Sequence, residues 1–116
     1  MSDAETTVAE LRALVRNFVE ERDWRQFHAP KNLAMSLAIE AAELMEHFQW
    51  ISTEKSREIA AEPGDLAEVS DELADVLCYA LAMANQLDID LSTAIRSKMI
   101  KNEEKYPAEE FRGRAK

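Results

Sequence analysis

Apolar side chains recur at steps of three and four residues along most of this chain, and no segment alternates strictly between apolar and polar residues. In the first periodic segment, Val8, Leu11, Val15 and Phe18 form one stripe. Such a period places apolar residues on one face of an α-helix, whereas a half-buried strand needs alternation. The chain has 116 residues, with two glycines and three prolines, too few for the turns of an all-β fold. The pattern predicts one all-α domain.

The breaks between periodic segments predict where the helices begin and end. Pro30 suits a first helical turn, and Ser52 or Thr53 caps a short helix. Asp65 opens the next long helix, and Asp90 is the N-cap of the last one. We treat residues 1–107 as the domain and expect residues 108–116, which have weak periodicity, to form a mobile tail. The four main helices and the short one are predicted at about 4–22, 30–50, 52–61, 65–87 and 91–105.

Composition excludes several classes of function. The two glycines, Gly64 and Gly113, cannot build a phosphate-binding P-loop or a G-x-G-x-x-G dinucleotide turn. A single cysteine, Cys78, excludes an internal disulfide and a cysteine-rich zinc site, and we expect this residue to pack in the core.

Charge and hydropathy indicate the expected surroundings of the protein. The 14 basic and 23 acidic side chains give a net charge of −9, so the general field does not favour a nucleic-acid polymer. The longest apolar run, residues 76–84, is far shorter than the roughly 20 residues of a membrane span. The first residues are acidic and polar, unlike a signal peptide. We therefore expect a cytoplasmic protein without a membrane partner.

Two pairs of carboxylates interrupt the apolar helices. Glu40 and Glu43 lie three residues apart in the second helix, and Glu72 and Asp75 have the same spacing in the fourth. This spacing places both members of a pair on one helical face. Burying an unpaired carboxylate costs several kcal/mol, so four can stay ionised together only if cations share the site. Oxygen ligands without cysteine favour Mg²⁺ or Mn²⁺, which can also bind nucleotide phosphates.

Two other interpretations of these carboxylates stay open. The spacing is also typical of a solvated helical face that holds no ion. A di-iron carboxylate bundle needs Glu-x-x-His on two helices. Here His47 follows Glu43 by four residues and no histidine lies near Asp75, so that site is disfavoured.

The order of several motifs resembles the all-α nucleoside triphosphate pyrophosphohydrolases of the MazG-like superfamily. Their pattern, E-E-x-x-E followed after a spacer by E-x-x-D, is matched by Ile39-Glu-Ala-Ala-Glu43 and Glu72-Leu-Ala-Asp75. The additional Glu of many members is replaced here by Ile39, which suits the dCTP pyrophosphatase branch. Further blocks similar to that branch occur in the same order at residues 21–28, 30–32, 48–50, 97–99 and 106–107.

This resemblance implies a helical bundle that hydrolyses a (deoxy)nucleoside triphosphate between the α and β phosphates. The substrate expected is dCTP or a modified pyrimidine nucleotide, and the role is nucleotide-pool house-cleaning. The implied cofactor is Mg²⁺, with Mn²⁺ as a substitute. Carried over residue by residue, the metal ligands are Glu40, Glu43, Glu72 and Asp75, and the catalytic residues are Glu43 and Glu72.

Seven further residues are predicted to bind substrate. Aromatic rings can stack on a base, and the pair at positions 98 and 102 lies one helical turn apart, so both members can face one phosphate. Core packing for the aromatic residues and a solvated surface for the basic ones are the alternatives. Val15 stands where some relatives carry a histidine that can bond a pyrimidine, so the preferred base stays open. The seven residues are Trp24, His28, Lys31, Trp50, Tyr79, Lys98 and Asn102.

Assembly is expected because the central helices are apolar on more than one side. Five helices in one small domain cannot cover all of these faces, and the resemblance implies a homotetramer, or at least a dimer. The alternative function is a non-catalytic helical module that binds a protein partner or senses a nucleotide, with an acidic site for a divalent ion.

Overall fold

A computed structural model describes residues 1–114, and within that range every regular element is helical. The prediction of an all-α fold with four long helices is therefore confirmed. Two 3-10 turns, Arg25–Phe27 and Ile59–Ala61, lie between the helices. The helices are α1 (Val8–Glu21), α2 (Pro30–Glu46), α3 (Thr53–Ser56), α4 (Pro63–Leu87), α5 (Leu91–Lys105) and α6 (Ala108–Phe111).

Side-chain caps fix the start of three helices, and at the start of α3 the predicted cap is confirmed, because Ser52 Oγ accepts from the Lys55 amide at 3.1 Å. Thr7 Oγ1 accepts a hydrogen bond from the Glu10 amide at 3.1 Å, so α1 begins at Val8 and the predicted start near residue 4 is wrong. Asp90 Oδ2 accepts bonds from the amide of Thr93 at 3.0 Å and from its hydroxyl at 2.6 Å. This cap confirms the predicted start of α5.

Three other predicted boundaries need correction. α2 ends at Glu46 and not near residue 50, because the chain leaves the helix through turns in which Phe48 and Gln49 donate to the same carbonyl, that of Met45. The short helix predicted over 52–61 is divided into α3 and a 3-10 turn. α4 begins at Pro63, so Asp65 lies within its first turn instead of opening it.

α4 is the central element of the bundle, because both α1 and α2 pack against it. Few side chains are fully enclosed by this packing, and the radius of gyration is 17.0 Å. A compact domain of this length has a radius of gyration of about 13 Å. Large apolar side chains such as Ile39, Leu73 and Leu77 are about half exposed or more. The buried apolar residues are Val19, Leu33, Ala82 and Ala84.

One arginine joins α1 to the end of α4 and to the connector that follows it. Arg12 donates to the carbonyls of Ile89 at 2.7 Å and Ala84 at 3.2 Å, and to Asn85 Oδ1 at 3.1 Å. Asn85 donates in return to the Arg12 carbonyl at 3.0 Å, and its Oδ1 also accepts from Arg16 at 3.0 Å. We call this group, Arg12, Arg16, Asn85 and the two carbonyls, the Arg12 joint.

The segment after α5 contains one more short helix. The rings of Tyr106 and Phe111 meet edge to face with centroids 5.2 Å apart, which brings α6 against the end of α5. The predicted mobility of residues 108–116 stays a prediction, and residues 115–116 lie outside the described range. None of the described helices is both long and apolar enough to cross a membrane.

Candidate metal centre and substrate cavity

Three carboxylates from two helices meet where α2 packs on α4. Glu40 and Glu43 lie on one face of α2, and Glu72 faces them from α4. One oxygen from each residue lies within 4.8 Å of the others. The i, i+3 spacing read from the sequence therefore does bring acidic groups of the two helices together.

Burial and mutual repulsion make this cluster costly to ionise. Burial, followed by the neighbouring carboxylates of Glu43, Asp75 and Glu72, raises the pKa of Glu40 to about 7. Burial is also the main reason why the pKa of Glu72 is raised above its ordinary range. Like charges at this separation disfavour a second ionisation, so the cluster gains from a cation.

The unpartnered oxygens supply a direct test of whether a cation suits this cluster. Glu40 Oε2 and Glu72 Oε2 are buried, and neither has a hydrogen-bond partner among the described residues. A buried carboxylate oxygen without a partner is costly, and coordination of a cation would satisfy it. Carboxylate oxygens are hard ligands of the kind that Mg²⁺ and Mn²⁺ prefer. The residues present fit such an ion.

Asp75, the fourth predicted ligand, stands next to the cluster. It is not within the 4.8 Å group, but its charge contributes to the raised pKa of both Glu40 and Glu72. Its side chain is exposed and lines a cavity on the α1 side of α4. Asp75 therefore connects the carboxylate cluster with this cavity.

A histidine and a glutamate continue the contact between α2 and α4 beyond the carboxylates. His47 lies one turn after Glu43, Glu68 lies one turn before Glu72, and His47 Nδ1 is 3.7 Å from Glu68 Oε2. The three-carboxylate group itself contains no histidine among the described residues. This composition does not match the Glu-x-x-His ligands of a di-iron bundle.

A cavity of about 410 Å³ opens beside Asp75, between α1 and α4. Its volume lies within the range of small-molecule pockets, and its walls are mainly apolar. Trp24 closes one side, with its ring 5.6 Å from that of Phe18 in an edge-to-face contact. The residues that line this substrate cavity are Leu14, Val15, Phe18, Val19, Trp24, His28, Asp75, Cys78, Tyr79 and Ala82.

The structure places the seven predicted substrate-binding residues in two groups. Trp24, His28 and Tyr79 line the substrate cavity together. Trp50 is 87 % exposed in the turns after α2, and it does not line this cavity. The polar residues that also lie outside it are Lys31 on α2, and Lys98 and Asn102 on α5.

Of the residues that α1 contributes to the cavity, sequence reasoning singled out only Val15. Val15 and Phe18 belong to the apolar stripe of α1 and Leu14 lies beside it. The crossing of α1 over α4 makes all three walls of the cavity. The prediction that Cys78 packs in the core is wrong, because Cys78 is exposed and lines the same cavity. Leu14 and Phe18 remain exposed after the helices pack, and the periodicity of the sequence alone does not predict this.

Comparison with known proteins gives consistent matches. The model of the MazG-like family matches residues 35–116, a range that includes all four predicted metal ligands. Rat dCTP pyrophosphatase 1 is 42% identical over 111 residues, covering 96% of this chain and 65% of that protein. The human dCTP pyrophosphatase 1 is 41% identical over 104 residues, covering 90% of this chain and 61% of that protein. This chain thus spans less than two thirds of the length of these relatives.

A solved structure extends the likeness to the fold. The crystal structure of a pyrophosphatase from Archaeoglobus fulgidus superposes with a TM-score of 0.79 and is 40% identical. The match covers 92% of this chain and 98% of that one. At this identity and coverage the two chains share their helical architecture.

Proposed function

This chain belongs to the MazG-like family, and we propose that it is a nucleoside triphosphate pyrophosphohydrolase. It hydrolyses a deoxynucleoside triphosphate, dCTP or a modified pyrimidine nucleotide, between the α and β phosphates, and it releases the monophosphate and pyrophosphate. Such a reaction removes surplus or modified nucleotides from the pool. The observation that carries the proposal is the meeting of Glu40, Glu43 and Glu72 next to a cavity of about 410 Å³.

The carboxylate cluster would hold the divalent ion. Glu40, Glu43 and Glu72 supply oxygens within 4.8 Å of one another, and Asp75 stands at the border with the substrate cavity. When bound, Mg²⁺ or Mn²⁺ would supply positive charge that neutralises the phosphates and polarises the phosphoryl group under attack. The two buried, unpartnered oxygens support this assignment.

Glu43 is the carboxylate best placed to accept a proton. Of the two predicted catalytic residues, Glu43 is exposed, whereas Glu72 is half-buried and its Oε2 is inaccessible to water. A water molecule can therefore reach Glu43, which takes its proton as the water oxygen bonds to the α-phosphorus. The bond from that phosphorus to the bridging oxygen breaks, and pyrophosphate leaves.

The substrate cavity would hold the nucleoside. Trp24 and Tyr79, which line the cavity, would offer ring faces or edges to a base and sugar. Asp75, which lines the cavity beside the carboxylate cluster, would then lie on the phosphate side. Base stacking on an aromatic ring contributes about 1–3 kcal/mol and tolerates any base. The apolar walls of α1 exclude water from the bound base.

The remaining predicted contacts are to phosphate and to the outer face of the base. Lys31, Lys98 and Asn102 are the polar groups proposed for the phosphates, and Trp50 is proposed for the base. In a single copy these residues lie outside the substrate cavity. We propose that a second copy completes the site, in a dimer or homotetramer, because large apolar side chains such as Leu73 and Leu77 are exposed.

The same exposed apolar residues favour one other function, that of a helical module that binds another protein. Incubation with each deoxynucleoside triphosphate and Mg²⁺ separates the two. The enzyme yields equal amounts of monophosphate and pyrophosphate, whereas the interaction module yields neither. Glu43→Ala and Asp75→Ala should abolish product formation while the helical circular dichroism is retained. Glu103→Ala, which removes a carboxylate from exposed surface of α5, is the matched control.

A further inference from the structure

The last turn of α1 is bonded to the backbone of Trp24. The Trp24 amide donates to the Val19 carbonyl at 3.0 Å, and the Asp23 amide donates to the Glu20 carbonyl at 3.1 Å. Two bonds in this pattern make a Schellman motif, in which the chain leaves a helix through one left-handed residue. We call residues 19–24 the exit turn. Its bonds fix the backbone of Trp24 relative to α1.

Asp23 is the left-handed residue of the exit turn, with φ at 53°. Glycine is the usual residue at this position, because a Cβ atom makes the conformation costly. Aspartate is one of the few other residues that adopt it, since its short side chain can form local hydrogen bonds. Here Gln26 Nε2 donates to the Asp23 carbonyl at 2.9 Å and to Asp23 Oδ2 at 3.3 Å. The exit turn therefore forms without glycine, and it depends on the residue type at position 23.

The exit turn also determines where the Trp24 ring lies. In a Schellman motif the residue after the left-handed one often packs on an apolar side chain of the preceding helical turn. Trp24 packs in this way, with its ring edge to face on Phe18. The Arg22 guanidinium lies 3.7 Å from the centre of the Phe18 ring, and its Nη1 donates to the Phe18 carbonyl at 3.0 Å. Phe18 and Trp24 are both walls of the substrate cavity, so the exit turn shapes this side of it.

We infer that Asp23 positions Trp24 for substrate binding, because the left-handed backbone at Asp23 holds the Trp24 ring at the substrate cavity, where it can stack on the base. This inference rests on the proposed function. The Asp23 side chain is exposed and does not line the cavity, so Asp23 acts through Trp24 and not on the substrate. A residue that disfavours a positive φ would weaken both bonds of the exit turn and release the ring. The base would then lose a stacking partner.

A graded series at position 23 tests this backbone requirement. Asp23→Gly and Asp23→Asn keep a residue that adopts a positive φ, so the KM for the deoxynucleoside triphosphate that the wild type hydrolyses fastest should stay within about twofold. Asp23→Asn is also the control for the lost charge. Asp23→Ala should raise KM about threefold, and Asp23→Val, which is branched at Cβ, about tenfold. The kcat should not change, because stacking contributes equally to the ground state and the transition state.

A second background separates the positioning of Trp24 from a general loss of stability. In Trp24→Ala the ring is absent, so the added Asp23→Val should change KM by less than about twofold. If Asp23→Val does not fold, Asp23→Ala provides the same comparison. An equal increase in both backgrounds would show that Asp23 does not act through Trp24, and it would overturn this inference.

The wild type separates this inference from the proposed function. If the wild type is active and every variant at position 23 keeps its KM within about twofold, the inference is wrong while the proposed function stands. Absence of hydrolysis by the wild type would overturn both.

Discussion

Glu40 on α2 and Glu72 on α4 bring carboxylate oxygens within 4.8 Å of each other, and each residue has an Oε2 atom that is buried without a hydrogen-bond partner among the described residues. Two such groups repel each other in the absence of a cation, and neither can be solvated fully by water. The protein therefore carries electrostatic strain at this contact, which a bound divalent ion would relieve.

We expect Mg²⁺ or Mn²⁺ to stabilise the folded protein. Binding to the native state alone adds about 2.7 kcal/mol when the ion concentration is 100 times its Kd, so the Tm should rise on titration and fall again with EDTA. Glu40→Gln with Glu72→Gln should raise the Tm of the metal-free protein and remove the increase with Mg²⁺. Glu103→Gln should behave like the wild type in both respects. A Tm that is insensitive to both ions would contradict the proposed cluster.

The pH dependence of the metal-free protein should report the raised pKa of Glu40. Its folded pKa is about 7 against an ordinary value of 4.5, so between these values the folded state binds more protons than the unfolded state. Stability should therefore fall as the pH rises from about 4.5 to 7 and should level off above this range. In Glu40→Gln this part of the pH dependence should disappear from urea denaturation curves. An equal slope in the variant would assign it to other groups.

The Arg12 joint, whose central residues Arg12 and Asn85 are half-buried, should contribute measurably to stability. Arg12→Ala removes three hydrogen bonds from a charged donor and should lower the free energy of unfolding by about 2–3 kcal/mol. Arg16→Ala removes one exposed bond to Asn85 and should cost about 1 kcal/mol or less. A double-mutant cycle of Arg12 with Asn85 should show coupling. Equal losses for the two arginines would contradict the joint.

Trp24 should affect substrate binding more than folding. Removal of its ring in Trp24→Ala loses base stacking of about 1–3 kcal/mol, which corresponds to a KM increase of roughly tenfold or more. Trp24→Phe keeps a stacking ring and should retain most of the affinity. Both KM and Tm need to be measured, because Trp24 also contacts Phe18. A large fall in Tm with an unchanged KM would show that Trp24 packs in the fold and does not stack on the base.

Assembly should be sensitive to charge on the exposed face of α4. Light scattering should give a mass well above the 13.2 kDa of one chain. Leu77→Glu replaces an apolar side chain that is 55 % exposed in a single copy with a charged one. It should therefore disrupt an interface between copies without disturbing the core. The variant should therefore have a lower mass and unchanged helicity. A wild type that is monomeric at micromolar concentration would rule out a site shared between copies.

The helices could be predicted from the local periodicity of apolar residues. Their ends could be predicted only where a cap within one helical turn fixes them. Asp90 bonds the amide and hydroxyl of Thr93, a contact within one turn, and the predicted start of α5 is correct. Thr7 caps α1 by the same kind of bond, but the apolar period gives no reason to prefer it over an earlier start. The end of α2 depends on the turns that carry the chain to Trp50, and no residue there marks the break.

The carboxylate cluster could be predicted because it depends largely on spacing within each helix. The cavity could not be predicted in this way. Glu40 and Glu43 share a face because of their spacing alone, and Glu72 meets them because α2 packs on α4. The walls that Leu14 and Phe18 contribute depend on how α1 crosses α4. That crossing is set partly by Arg12, whose partners lie more than 70 residues away in the chain.

The position of the basic last helix follows from the Arg12 joint. α5 packs broadly against no other described helix, and it leaves the bundle just after Ile89, whose carbonyl Arg12 holds. With 15 residues it is about 22 Å long, so a rotation of about 5° at the connector would swing its far end by about 2 Å. The Arg12 guanidinium therefore helps to set where α5 leaves the bundle, and with it the positions of Lys98 and Asn102, which are proposed to bind the triphosphate.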